Sequence, residues 1–275
     1  MRVLTIAIAL VLSAAGASSA QSPAEAARNK TFDELLDLYV RNGDVYYRAI
    51  KAERARLDGF VAQLAAAPVD KMSRDEQLAF WLNAYDALVL HTIADHYPIQ
   101  GRSAEYPAKS IRQISGAFER LPHRVAGRTV TLDQIEQTIL PGFNDPRVYF
   151  AIGRGAVGSG RLRSEAFTAA RLEEQLADVA AECVTRAQCF AMDRESGKVS
   201  ASSIFSWREK EFIAAYADKA PAAFASRSPI ERAVIAFVLP RLLNTEKEFI
   251  SRNTFQITYS TFDWTLNDLT GRGGR

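Results

Sequence analysis

The chain has 275 residues, with 34 basic against 32 acidic side chains and a formal charge of +2. That balance excludes a nucleic-acid binder held by bulk electrostatics. At 48% hydrophobic residues it can fill one large core or two small ones, and neither a repeat nor an interdomain linker divides it.

Met1-Arg2, the apolar run Val3 to Leu12 and the small residues Ser18-Ser19-Ala20 before Gln21 predict an export signal over 1–20. The apolar run is too short to span a bilayer, and no cysteine stands at the cleavage point to accept a lipid. A periplasmic or secreted protein is expected, with no stable membrane insertion after cleavage. Residues 21–30, polar and alanine-rich, read as a flexible leader, 31–269 as a single domain and 270–275 as a flexible tail.

Helices are predicted over Thr31 to Val40 and Lys51 to Ala66. The clearest one starts at Ser73, which forms a capping box with Glu76 and leads into Leu78, Trp81, Leu82, Tyr85, Leu88, Val89 and Ile93. On it, Asn83 and Asp86 are three apart and share a face, where they either fix the backbone of a neighbouring loop or orient a substrate. His91 and His96 are five apart, which does not suit a helical zinc pair, and no metal is expected. After His123 a hairpin is predicted from Val125 to Val130 around Gly127, then a helix from Thr131 to Leu140 and a strand from Arg147 to Ile152. A helix follows near Thr168, with Leu172, Leu176, Val179 and Ala180 at helical spacing. Cys183 and Cys189 suit a short-loop disulfide in an exported protein, provided that this helix ends between them. Strand pieces flank Gly197, and a helix covers Ser203 to Tyr216. Ser228-Pro229-Ile230-Glu231 starts another helix, and Phe255, Ile257 and Tyr259 alternate as a last strand. Trp81 and Trp207 fit the core stripes of their helices. The order predicts an α+β fold, a mostly helical single domain around a small mixed or antiparallel sheet.

Between Arg147 and Arg171 the sequence is rich in glycine and arginine. Gly153-Arg154-Gly155-Ala156-Val157-Gly158 spells G-x-G-x-x-G, but a dinucleotide fingerprint needs its glycines to open a helix, and here Arg161, Leu162 and Arg163 intervene. No cofactor is therefore expected. Five arginines in this stretch face one acid, Glu165, so Arg154, Arg161 and Arg163 are candidates for binding a carboxylate, phosphate or sulfate. Ser159, between two glycines, is a candidate nucleophile if a base reaches it, with His123 the first choice from its loop setting.

Several blocks together resemble the bacterial family catalogued as domain of unknown function 547. They are Phe80-Trp81-Leu82-Asn83-Ala84-Tyr85-Asp86-Ala87-Leu88, Thr131-Leu132-Asp133-Gln134-Ile135-Glu136, Asp145-Pro146-Arg147 and Phe262-Asp263-Trp264-Thr265-Leu266-Asn267. Arg163-Ser164-Glu165-Ala166-Phe167-Thr168 and Ile204-Phe205-Ser206-Trp207 extend the likeness. The resemblance implies a loop in which typical members carry an asparagine-cysteine pair and then a cysteine-proline pair. Here Gly153-Arg154 and Ser159-Gly160 stand in those places, while Gln137 and Tyr149 occupy positions that are commonly histidine. Arginine cannot act as a thiolate and glutamine cannot take up a proton, so chemistry based on those groups is lost. The resulting expectation is a non-catalytic binding domain with a degenerate active-site-like loop, for an acidic small molecule, a peptide or an envelope protein. Arg154, Arg161, Arg163, Gln137, Tyr149 and Asn83 would contact that ligand. The alternative is an ester or amide hydrolase that uses Ser159.

Overall fold

The computed structural model describes residues 23–271; the expected export signal and residues 272–275 of the expected tail lie outside them. Helix α1, Pro23–Tyr39, begins inside the segment expected to be a flexible leader. Part of that segment is packed: Arg28 and Asn29 are buried, and the Arg28 guanidinium lies 5.1 Å over the Phe80 ring. A hairpin of β1 (Val40–Arg41) and β2 (Asp44–Val45) follows. Its turn is Asn42-Gly43, both at positive φ (53° and 86°), the pair that such two-residue turns favour. The helix expected over Lys51 to Ala66 is two, α2 (Tyr47–Ala52) and α3 (Ala55–Ala65). Phe32 of α1 and Phe60 of α3 stack at 4.5 Å between ring centroids.

Helix α4, Arg74–His96, has the predicted capping box, with the Ser73 hydroxyl accepting from the Glu76 amide while the Glu76 carboxylate accepts from the Ser73 amide. Almost every side chain from Leu78 to Ala94 is buried, as suits a helix that is enclosed on all sides. The predicted hairpin is β3 (His123–Val125) with β4 (Arg128–Val130). Next, Thr131 caps a short α5, Leu132–Gln134, which widens at once into a π segment, Ile135–Ile139, before Pro141 in a closing 3-10 turn. Such π segments recur where a helix must aim a side chain at a site.

The segment Arg147 to Ile152 is not the expected strand. It is one helical turn, α6 (Val148–Ala151), started by the Asp145 carboxylate, which accepts from the Arg147 amide at 3.0 Å. Asp-Pro pairs initiate turns, and the β-branched and aromatic residues that suggest a strand here are simply buried on every side. Helix α7, Leu172–Thr185, ends as predicted between Cys183 and Cys189, whose disulfide joins Cα atoms 5.1 Å apart. Strands β5 (Phe190–Asp193) and β6 (Lys198–Ser202) pair antiparallel. The expected single helix from Ser203 is broken into α8 (Ser203–Trp207) and α9 (Glu209–Tyr216) by Arg208, whose backbone leaves the helical region (φ −115°, ψ 31°). Helix α10, Pro229–Val238, starts at the predicted Ser228 cap, and α11 covers Asn244–Ser251. Strand β7, Gln256–Ser260, then adds parallel to β6, which makes the three-stranded sheet mixed. Phe150, Phe205, Phe212 and Phe237 pack around one another with centroids 4.6–5.8 Å apart, joining α6, α8, α9 and α10 into the core behind the loop. The α+β class, mostly helical with small sheets, is as the sequence indicates.

Candidate functional site

The π segment brings Glu136 inward to the floor of a cleft of about 200 Å³ and leaves Gln137 at its edge. Arg154 enters from the glycine loop and Arg208 from the break between α8 and α9. Asp133 comes from α5, Trp207 from the end of α8, and Trp264 from the turn after β7; Arg112 and Phe118 close the far wall. The structure thus joins Gln137 and Arg154, two of the positions singled out from the sequence.

Glu136 holds the floor together. Its carboxylate accepts from Arg154 Nε (3.1 Å) and Nη2 (2.7 Å), from Arg208 Nη2 (2.8 Å) and from the Tyr85 hydroxyl (2.9 Å). Burial works to raise its pKa, but the attraction and hydrogen bonds of Arg154 and then Arg208 outweigh it and bring the value down to about 2. Arg154 also donates to the Tyr149 carbonyl at 3.1 Å, and Arg208 lies 4.3 Å over the Tyr149 ring. Tyr149 therefore supports the two arginines from behind, with its hydroxyl 3.3 Å from Glu211.

The upper wall is aromatic. Trp207, read from the sequence as a core residue, is instead 47% exposed, in contrast to Trp81 at 2%. It packs on Phe262 (4.9 Å) and in parallel with Trp264 (6.3 Å), so its partners come from the far end of the chain and leave part of its ring open. Arg112 lies 4.4 Å over Phe118 and 4.6 Å over Trp264, and it pairs with Glu119. Among the described residues the Asp133 carboxylate has no hydrogen-bonding or ion-pair partner. Burial raises its pKa, and the charges of Glu119 and Glu136 raise it further.

The glycine loop is bound from within. Gly153 N–H donates to Asp86 at 2.7 Å, Arg154 N–H to Ser159 Oγ at 3.0 Å, Val157 N–H to the Thr265 carbonyl and Gly158 N–H to the Asp263 carbonyl, both at 2.9 Å. These amides are occupied, so the loop does not present them to an anion, and no helix opens before Leu172 for a pyrophosphate. Its glycines answer to close packing: a Cβ on Gly158 would meet the Asp263 amide nitrogen at 2.7 Å, and one on Gly160 the Phe150 carbonyl at 1.6 Å. Burial drives the Asp86 pKa well above the ordinary value, with the Gly153 hydrogen bond and Arg154 opposing. Asn83 clamps Phe167, donating to its carbonyl and accepting from its amide, each at 2.8 Å. Asn83 and Asp86 thus hold neighbouring loops, and Asn83 does not face the cleft.

Arg161 and Arg163 lie elsewhere too. Arg161 pairs with Glu182 at 3.2 Å, and Arg163 with Glu165 at 2.5 Å and Asp178 at 3.5 Å. The apparent excess of arginine between 147 and 171 is balanced by the acidic face of α7, which the local count leaves out. Ser159 is 6% exposed, with its hydroxyl on the Arg154 amide and its carbonyl accepting from Arg186 at 3.3 Å. No histidine bonds to it: His91 meets Asp58 and Asp95, and His96 the Thr92 carbonyl.

His123 Nε2 is buried without a hydrogen-bond partner. Its pKa falls from 6.5 to about 4, first through burial and then through His91, against the pull of Asp95. The unfolded chain then takes up the proton more readily, so this group costs stability as the pH falls from 6.5 towards 4. His123→Phe is expected to flatten the stability profile in that window, measured by urea denaturation at steps of pH. An unchanged slope would contradict the placement of His123.

The model of the family described as "Protein of unknown function, DUF547" matches residues 69–184. That span holds α4, the π segment, the glycine loop and α7, but not the Ile204–Trp207 and Phe262–Asn267 blocks that supply both tryptophans of the cleft. No curated protein and no solved structure matches the chain.

Proposed function

We propose that this member of the DUF547 family is an exported, non-catalytic domain that binds a small ring-bearing ligand, free or on a peptide, in the cleft between Trp207, Trp264 and Asp133. One observation carries the reading. At the positions where the resemblance places reactive groups, Arg154 is locked into a buried ion pair with Glu136, while the wall above keeps open aromatic surface. Concave sites where aromatic side chains meet convergent polar groups are where small ligands bind. Neither a serine, a cysteine nor a histidine lines the cleft, which supports binding over hydrolysis by a serine or cysteine nucleophile with a histidine base. Arg154 and Arg208 already share Glu136 and Arg112 pairs with Glu119, so an acidic ligand would compete with those acids for the cleft's arginines. Export is supported by the leader sequence and by the Cys183–Cys189 disulfide, which suits an oxidising compartment. Among the described residues no helix is long and apolar enough to cross a membrane.

The test is a thermal-shift panel of ring-bearing acids, neutral ring compounds and ring-bearing amines, run with an ester and amide turnover assay on the same protein. At least one ring compound is expected to raise Tm in the wild type and not in Trp207→Ala, with no turnover of any ester or amide. Turnover that is abolished by Ser159→Ala would overturn the reading.

A further inference from the structure

The groups left unsatisfied in the cleft narrow the ligand class, and the argument rests on the binding reading above. We infer that the cleft takes a single neutral sugar ring, stacked on Trp207 with its hydroxyls shared among Asp133, Gln137 and Arg112.

Three other classes fit worse. An anion would meet the two carboxylates of the lining, Asp133 and Glu136, while the charge of each of its three arginines is already paired with an acid. Arg154 and Arg208 are held by Glu136, and Arg112 by Glu119. A cation would stand beside Arg112, which already covers the faces of Phe118 and Trp264, and would share the cleft with Arg154 and Arg208. A purely apolar ring would cover the Asp133 carboxylate and leave it without a partner, which costs free energy in a dry site.

A sugar ring resolves all three conflicts. An ionised carboxylate only accepts hydrogen bonds, a guanidinium only donates them, and a glutamine amide does both, so each of the three side chains finds its complement in vicinal hydroxyls. The ring's C–H face gives Trp207 an apolar partner for surface that the protein leaves 47% exposed. The volume, about 200 Å³, lies below the range of roughly 300 Å³ and upward typical of drug-sized ligands, and so suits one ring.

The experiment is a titration of the full chain, followed by tryptophan fluorescence. The probes are methyl hexopyranosides, N-acetylhexosamines and methyl pentopyranosides, with sodium glucuronate, benzoate and benzylamine for comparison. At least one neutral sugar is expected to saturate the signal, to bind about tenfold or more tighter than glucuronate, and to lose about tenfold in Asp133→Ala while benzoate binding does not weaken. Saturation by benzoate or benzylamine with no response to any sugar would overturn this inference and leave the binding reading standing. Glucuronate binding as tightly as the neutral sugars would overturn the neutrality. No response to any probe would remove the binding reading, and this inference with it.

Discussion

Glu136→Gln is expected to destabilise the protein by about 3–5 kcal/mol, because it removes the one carboxylate that two buried guanidiniums share. The side chains of Arg154 and Arg208 are 3% and 6% exposed, so neither has water to replace what Glu136 supplies. The glutamine can still accept hydrogen bonds but carries no charge, and its amide donors would face two cations. Urea denaturation at neutral pH checks the magnitude. The pH dependence checks the cause. A carboxylate whose folded pKa is about 2, below the ordinary 4.5, contributes stability that is present above 4.5 and lost as the pH falls through 2. The gap between wild type and Glu136→Gln should therefore narrow as the pH drops from 4.5 towards 2. A variant within about 1 kcal/mol of wild type at neutral pH would mean that the three groups are not a buried ionic unit.

Gly160→Ala is expected to cost about 3 kcal/mol or more, the upper end of what overpacking does. The added methyl would stand 1.6 Å from the Phe150 carbonyl oxygen and 2.5 Å from its carbonyl carbon. Both are main-chain atoms, so the strain cannot be relieved by turning a side chain. Phe150 also sits at the centre of the phenylalanine cluster, so its displacement would disturb α8, α9 and α10 together. Gly59→Ala makes the contrast: on the exposed side of α3, with nothing within 4 Å of the new methyl, it should stabilise by about 0.5–1 kcal/mol through helix propensity. Thermal melts of the two variants separate the effects. A Gly160→Ala protein as stable as wild type would contradict the packing assigned to the loop.

Much of the fold was legible because its signals are local. Ser73 with Glu76, Ser228 with Glu231 and the two cysteines with a helix end between them each depend on neighbours a few residues away. The segment from Arg147 to Ile152 misleads for the converse reason. Its composition reports burial on all sides, which a strand and a single enclosed helical turn share, and only Asp145-Pro146 favours the turn. The cleft was half legible. The family-like pattern placed Gln137 and Arg154, since both lie in the matched span, but not what surrounds them. Trp207 and Trp264 sit far apart in sequence and meet only through the turn after β7, so no periodicity reveals that Trp207 faces outward. Arg161 looked free because its partner Glu182 comes from α7, and Arg163 because it shares Glu165 with Arg171 and draws Asp178 from α7; both α7 acids follow the arginine-rich stretch in sequence.

The central claim is that a binding cleft stands where the resemblance places reactive chemistry. The most direct measurement uses the indole N–H resonances of a ¹⁵N-labelled protein, because its three tryptophans form an internal comparison: Trp207 and Trp264 in the cleft, Trp81 in the core. Neutral sugars and ring compounds are added, and each is recovered afterwards. Saturable shifts of Trp207 and Trp264, a still Trp81 and a probe recovered unchanged are the predicted result. Probes that shift neither cleft indole, or that are converted to product, would contradict it.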